Sequence, residues 1–430
     1  MYYGLYQLIG WLVFIAAFPF LLLSGAFTGR YRKGLAQRLG WIDIPERHVN
    51  RPLKIWLHGA SVGEVLLAKT LIKELAESFP DALFILSTVT DQGIEVARNQ
   101  LGDDVLCIYA PLDLAGIVGR VINKIKPTIY ICLETELWPA LLLKARRSGI
   151  KLVLLNGRMT ERSFRRYQKV RSLIADILSC FSMISVIQPG DAKRFIGLGA
   201  EPEKIRVIGN AKYDQQVDSL APETEDTYRA WLNLQKDQPL FVAGSTHSGE
   251  EEMLLSVFQD LKMASGMQEM IWLVAPRHLQ RLGEVETLLQ DRNITYERLS
   301  QTKSAARKTD IVLVDCMGDL AGFYSVASYV FCGGSLVDRG GHNIMEAAVF
   351  GRPVFYGPYM KDFQDAAELL ESVGAGFPVS KPDELTESIL YFMDHPEEYT
   401  AAGNQAREIV FAQQGSARKQ TQLVRELLLN

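Results

Sequence analysis

Charge is absent from the start of this chain: no Asp, Glu, Lys or Arg occurs between Tyr2 and Gly29. As a helix, the run from Leu5 to Phe27 would extend roughly 34 Å at ~1.5 Å per residue, enough for a bilayer core of ~30 Å. Pro19 would kink such a helix without forbidding it. The charged n-region and small-residue cleavage site of a secretory signal are both missing, and so is the charged face of a helix lying in the membrane interface. Arg30, Arg32, Lys33 and Arg38 follow at once, so the expectation is a retained single-pass anchor over 1–29 with everything after it in the cytoplasm. Cysteine is also sparse. The five residues, Cys107, Cys132, Cys180, Cys316 and Cys332, are odd in number, scattered and without metal-ligand spacing, which argues against a disulfide framework and for reduced thiols. Net charge is nearly absent too, and a formal -4 over 430 residues gives no global nucleic-acid footprint.

What is present is a repeating pattern. A chain of 430 residues exceeds one hydrophobic core, so about two or three domains are expected. From Leu53 onward, short apolar runs alternate with amphipathic stretches: "LKIWLH" (53–58), "ALFILST" (82–88), "VLCIY" (105–109), "TIYICL" (128–133), "KLVLLN" (151–156), "MISVI" (183–187) and "IRVIG" (205–209). This is the pattern of a parallel sheet covered by helices. The polar segment "APETEDTYRAWLNLQKDQ" (221–238) interrupts it. The alternation restarts at "LFVAG" (240–244) and runs through "IWLVA" (271–275), "DIVLVD" (310–315), "SYVFCGG" (328–334) and "RPVFYG" (352–357). Two Rossmann-like domains are predicted, 30–215 and 239–405, joined by a linker over 216–238, with a C-terminal helix over 406–430 packing back on the first. Ligands of open α/β sheets bind beyond the carboxyl ends of the strands, so two such domains facing one another would place two sets of loops around a cleft.

Several of those loops carry reactive groups. "LHGASVGEVLLAKTL" (57–71) passes from strand to helix, and three readings compete for it. Ser61 and Glu64 fit a capping box; Gly59-Ala60-Ser61-Val62-Gly63 fits the G-x-S-x-G elbow of serine hydrolases; Glu64 could itself be a base. The hydrolase reading needs an acid and then a histidine downstream, and His247, His278 and His342 all belong to the second half. "AGSTHSGEEEMLL" (243–255) echoes the turn, with Ser248 and Glu251 as a second capping box. Glu134 and Glu136 in "LETELWP" (133–139) are either acids at a helix N-terminus or reactive carboxylates. Lys212 in "GNAKYD" (209–214) is either solvated or positioned to hold a phosphate or developing anion. Arg277 in "APRH" (275–278) could take two phosphate oxygens, and Gly318 in "CMGDL" (316–320) would let a ligand approach the backbone. In "GGSLVDRGGHNIMEAA" (333–348), a helix starting near His342 or Asn343 would aim its N–H groups at an anion, with Glu346 accepting from ribose hydroxyls. Finally, Arg158, Arg162, Arg165 and Lys169 in "NGRMTERSFRRYQKVRS" (156–172) fall at helical spacing, which predicts a basic stripe that is either solvated or faces anionic headgroups.

Taken together, "HGASVGEV", "TVTDQG" (88–93), "LETELWP", "LNGRMTERSF" (155–164), "GNAKYD", "APRH" and "GGHNIMEAA" resemble the 3-deoxy-D-manno-octulosonic acid (Kdo) transferases of Gram-negative lipopolysaccharide synthesis, from the N-terminal anchor almost to the C-terminus. The resemblance implies a GT-B fold and an enzyme that needs neither metal nor cofactor. It would transfer Kdo with inversion from CMP-Kdo, the donor substrate, to a lipid A precursor (lipid IVA) on the cytoplasmic face of the inner membrane. Residue by residue, the resemblance makes Glu64 the general base and Glu134 and Lys212 transition-state stabilisers. It makes Pro276, Arg277, Met317, Gly318, Asp319, Asn343, Ile344, Met345 and Glu346 the CMP-binding residues. The expected partners are CMP-Kdo, the lipid A precursor and an anionic membrane surface, without nucleic acid. Two alternatives stand beside this reading: a GT-B transferase using a UDP-sugar, and a non-catalytic membrane-tethered nucleotide-binding protein.

Overall fold

The computed structural model describes residues 2–28, 34–214 and 223–429, without the side chains of residues 2, 18–28, 223 and 224. Two compact units result: Met1–Asp214 together with Gln414–Asn430, and Gln215–Gln413. Residues 216–222 of the expected linker lie outside the described residues.

In the first unit a helix α1 (Tyr2–Thr28) precedes seven strands, β1 (Lys54–His58), β2 (Leu83–Thr88), β3 (Val105–Tyr109), β4 (Ile129–Leu133), β5 (Lys151–Gly157), β6 (Met183–Val186) and β7 (Ile205–Val207). Helix α2 (Val62–Ser78) follows β1, α3 (Pro139–Arg147) follows β4 and α4 (Glu161–Gln168) follows β5. The strands lie in the order β3-β2-β1-β4-β5-β6-β7, every pair parallel. Successive side chains of a strand point to opposite faces. Ile55 and Leu57 therefore join Leu67 and Leu71 of α2 on one side, while Trp56 meets Val121 and Tyr130 on the other. A sheet covered on both faces needs apolar residues at every position, which is why its strands read as unbroken apolar runs.

The second unit repeats the plan with β8 (Leu240–Thr246), β9 (Ile271–Pro276), β10 (Glu297–Arg298), β11 (Ile311–Leu313), β12 (Tyr329–Cys332), β13 (Val354–Tyr356) and β14 (Gly376–Pro378), in the parallel order β10-β11-β9-β8-β12-β13-β14. Helix α5 (Glu250–Met263) follows β8, α6 (Leu320–Val326) follows β11 and the single turn α7 (Met345–Ala348) follows β12. The edge strands β10 and β14 have no counterpart among the expected runs. They are two and three residues long, and Glu-Arg or Gly-Phe-Pro carries no apolar signature. The chain then returns to the first unit, where α8 (Ser416–Leu429) buries Ala417 and Val424 beside Leu67 and Leu71 of α2.

The N-terminal segment departs from expectation. Among the described residues no helix is long and apolar enough to cross a membrane, so the single-pass anchor over 1–29 is not supported; Gly29, Arg30, Arg32 and Lys33 lie outside the described residues. The first turns of α1 are tied to the first unit. Tyr6 donates its hydroxyl to Asp113 Oδ2 at 2.8 Å, Gln7 Oε1 accepts from the Ala115 N–H at 2.9 Å, and the Arg147 guanidinium sits 5.9 Å over the Tyr3 ring. Asp113 also accepts from the Ala140 and Leu141 N–H groups at 2.9 and 2.8 Å, which satisfies the N-terminus of α3. One face of α1 is thus docked on the first unit, while Leu5, Leu8, Ile9, Leu12, Val13 and Ile15 stay exposed.

Candidate active site

Glu64 enters through the turn between β1 and α2. Ser61 caps that helix, its Oγ accepting from the Glu64 N–H while its own N–H donates to Glu64 Oε2 at 2.7 Å, and this closes the capping box. The Ser61 hydroxyl donates to the same carboxylate oxygen at 2.6 Å. Oε1 of Glu64 has no hydrogen-bond partner among the described residues. The capping role and a reactive role therefore fall on different oxygens of one carboxylate. A serine bound to a glutamate in its own turn lacks the histidine that activates a hydrolase nucleophile. Gly59 is required here by Glu64 itself, because a Cβ at position 59 would lie 2.8 Å from the Glu64 Cβ. Burial raises the Glu64 pKa above its ordinary value and the charge of Glu134 raises it further, against the Ser61 hydrogen bonds that lower it.

Glu134 follows β4, which pairs directly with β1. Its φ of 54° is left-handed, a conformation that costs a non-glycine residue about 1–3 kcal/mol and needs surrounding structure to hold it. It serves no helix dipole, since α3 begins only at Pro139. Lys212 Nζ forms a close ion pair with Glu134 Oε1, and Arg158 Nε lies 3.2 Å from Oε2. Lys212 also borders the Glu64 turn, for a Cβ at Gly63 would stand 3.7 Å from its Nζ. The structure thus brings Glu64, Glu134 and Lys212 together, and it adds Arg158. That arginine leaves the expected basic stripe because Thr160 caps α4, accepting from the Ser163 N–H at 3.2 Å, so the helix starts at Glu161 with Arg158 in the loop before it. Arg162, Arg165, Arg166 and Lys169 remain exposed and, with Glu161, line a concavity of about 370 Å³. Glu136 turns aside to accept from Trp138 Nε1 at 2.9 Å.

In the second unit the segments expected to bind CMP follow the carboxyl ends of β9, β11 and β12, and the loop after β8 lies between β9 and β12 in the sheet. Pro276 closes β9. The Arg277 N–H donates to Thr246 O at 3.0 Å, and its guanidinium has no carboxylate partner among the described residues. Met317 is 68% exposed, and Gly318 has φ 99°, a left-handed angle that glycine adopts without steric cost. Asp319 is held by Lys303 Nζ at 2.5 Å and Cys316 Sγ at 3.1 Å. The helix expected from His342 or Asn343 begins at Met345 and is one turn long. Asn343 Oδ1 accepts from the Met345 N–H at 3.2 Å and its Nδ2 donates to Glu346 Oε1 at 3.3 Å. Ile344 and Met345 are wholly buried, so a ligand on the loop side could meet only their backbone. Burial raises the pKa of Glu346, against Asn343 and Arg277, which lower it. Burial and the charge of Arg277 hold His342 down at about 4, and its Nε2 lies 2.9 Å from Nε2 of His247.

The echo between the two Gly-rich turns takes a different register from the expected one. Ser248 caps nothing; α5 starts after Gly249 at φ 94° without a side-chain cap. The His247 N–H instead donates to Glu250 Oε2 at 2.8 Å, as the Ser61 N–H does to Glu64 three residues on. Glu250 is fully buried and also accepts from the N–H groups of Gly334, Ser335 and Leu336 at 2.7, 3.0 and 2.9 Å, tying two loops together. Glu251 accepts from Thr246 Oγ1 at 2.8 Å and from Arg281 at 2.8 and 3.1 Å. The pairing of Arg158 with Glu134 and the role of Glu250 escaped sequence reasoning because each acts across strands rather than along the chain; the i−3 echo of Glu64 was the one local signal for Glu250.

A family model described as 3-deoxy-D-manno-octulosonic-acid transferase (kdotransferase) matches residues 33–215. The chain is 31% identical over 411 residues to a 3-deoxy-D-manno-octulosonic acid transferase of Haemophilus influenzae, covering 95% of each chain. It is 34% identical over 339 residues to a bifunctional glycosyltransferase/methyltransferase of Fusobacterium nucleatum, covering 78% of this chain and 52% of that protein, so it spans about half the length of that relative. Among solved structures, the UDP-GlcNAc 2-epimerase of Neisseria meningitidis superposes with a TM-score of 0.61 at 15% identity, covering 88% of this chain and 100% of that one. A glycosyltransferase from Rickettsia africae gives 0.59 at 15% identity, covering 88% and 99%. At such identities the likeness is one of fold.

Proposed function

This chain belongs to the 3-deoxy-D-manno-octulosonic acid (Kdo) transferase family, and we propose that it transfers Kdo from CMP-Kdo in lipopolysaccharide synthesis, with Glu64 as its general base and lipid IVA as its acceptor. The observation that carries this reading is the unshared Oε1 of Glu64 beside the Lys212–Glu134–Arg158 cluster. As the acceptor oxygen bonds to the anomeric carbon of Kdo, Glu64 Oε1 takes its proton. The bond from that carbon to the CMP phosphate oxygen breaks, and the electron pair leaves with CMP. A carboxylate with a raised pKa is a better base for a sugar hydroxyl, and base catalysis of this kind contributes on the order of 10²–10⁴-fold. Lys212 offsets charge developing on the phosphate, with Glu134 holding it in place. On the donor side, Arg277 takes phosphate oxygens, Met317 to Asp319 and the Asn343–Glu346 backbone border the nucleotide, and Glu346 accepts from the ribose.

The exposed apolar face of α1 supports association with a membrane surface, and Arg162, Arg165, Arg166 and Lys169 suit anionic headgroups or the phosphates of the acceptor. Incubating lipid IVA and CMP-Kdo with the protein should yield Kdo-bearing lipid by mass spectrometry. In Glu64→Gln, turnover should fall by roughly 10²–10⁴-fold with CMP-Kdo binding retained, and turnover near the parent's removes Glu64 from the mechanism.

A further inference from the structure

Behind Lys212 lie three buried amide side chains that the chemistry above does not use. Asn156, the last residue but one of β5, has φ 57°; it is fully buried, as is Gln420 of α8, and Asn210 is 4% exposed. Asn156 Oδ1 accepts from the Ala211 N–H at 2.9 Å and from Gln420 Nε2 at 3.4 Å, while its Nδ2 donates to Asn210 Oδ1 at 3.1 Å. The same Asn210 oxygen accepts from the Lys212 N–H at 3.0 Å, and Gln420 Nε2 donates also to Gly209 O at 3.2 Å. Two further bonds brace this stretch from α8: Ser416 Oγ donates to Ile208 O at 3.2 Å, and the Ala417 N–H donates to Asp214 Oδ2 at 2.6 Å.

Asn156 and Asn210 are fixed by the bonds they make, and Gln420 is oriented by its Nε2 facing two acceptors, Asn156 Oδ1 and Gly209 O, while its Oε1 has no partner among the described residues. Asn156 stands two residues before Arg158, and Asn210 two before Lys212. One cluster therefore locates both cations that meet Glu134.

We propose that Gln420 is a positioning residue: the Asn156–Asn210–Gln420 triad holds the Lys212 backbone so that its ammonium group meets Glu134, which makes the C-terminal helix part of the reaction centre of the first unit. The proposal rests on the reading of Lys212 given above. Small displacements of a charge-stabilising group cost rate before they cost binding.

The test is Gln420→Met, which keeps side-chain length and helix propensity but donates neither bond. Transfer from CMP-Kdo to lipid IVA is measured in the parent and in the Lys212→Ala background, with melting temperatures alongside. In the parent, kcat should fall about tenfold with the CMP-Kdo KM within about twofold; in Lys212→Ala there should be no further fall, because effects acting through one group do not add. An equal fall in both backgrounds, or an unchanged kcat in the parent, overturns the proposal. Should Gln420→Met fail to fold, Asn210→Asp keeps the oxygen that the Lys212 N–H uses, whereas Asn210→Leu does not. Parent-like kcat in the first and a loss of about tenfold in the second is the expected contrast, and equal loss in both overturns the proposal. Full kcat in Lys212→Ala alone refutes the role of Lys212 and with it this proposal, a result distinct from additivity.

Discussion

Glu64 is pulled in two directions, and both are open to measurement. Burial and the charge of Glu134 push its pKa above the ordinary 4.5, while the Ser61 N–H and hydroxyl favour the ionised form. If the ionised carboxylate is the base, kcat/KM rises with pH through a midpoint above that ordinary value. Glu134→Gln removes a negative neighbour, so the acid limb of the residual activity should move to lower pH. Ser61→Ala removes a hydrogen bond to the carboxylate and should move the limb to higher pH. Limbs that stay put, or shift in the reverse sense, would assign the titration to another group. "SVGE" makes the capping box legible, but a capping box engages one carboxylate oxygen, and the partnership of the other is not written in the local sequence. The strain at Glu134, φ 54°, is equally invisible in "LETELWP", since any residue type there could have begun a helix.

At the scale of elements, the two strand–turn–helix units show one local device used twice. In both, a glutamate accepts from the N–H three residues earlier. In the first unit the carboxylate keeps a free oxygen; in the second it is filled by three more N–H groups from the loop after β12. Glu250→Gln replaces an acceptor oxygen with an NH₂ facing those donors, so the loop should loosen and the CMP-Kdo KM should rise about tenfold with a smaller change in kcat. Steady-state kinetics at varied donor concentration reads this directly. Helix α4 gives a second prediction. Neutralising Arg162, Arg165 and Arg166 together should weaken association with anionic liposomes at low salt, and the difference should shrink at high salt as screening removes the attraction. Salt-independent association would mean that the stripe is merely solvated. Its helical spacing was legible, yet the Thr160 cap removed Arg158 from it.

For the whole molecule, donor identity is the discriminating question: CMP should inhibit transfer competitively with CMP-Kdo, and UDP should not at the same concentration. A UDP-selective site would overturn CMP-Kdo as the donor. The two-sheet plan could be read in advance because a parallel sheet buried on both faces demands uninterrupted apolar runs, and twelve strands from β1 to β13 lie on such runs, β10 excepted. The edge strands β10 and β14 could not be read, since so few residues carry no period. The N-terminal helix was legible as apolar but not as docked, because the docking depends on Asp113, more than a hundred residues away in the chain. The sequence by itself determined which segments become the twelve longer-run strands and which turns carry Glu64, Glu134, Lys212 and the residues proposed to bind CMP. These follow from hydrophobic period and motif, which are local. Only the tertiary structure decided that Arg158 and Lys212 converge on Glu134, that Glu250 joins two loops, and that Gln420 reaches Asn156 across 264 residues. Such contacts arise where strand order brings distant turns to one end of a sheet, and the hydrogen bonds that then form depend on buried partners that no local pattern specifies.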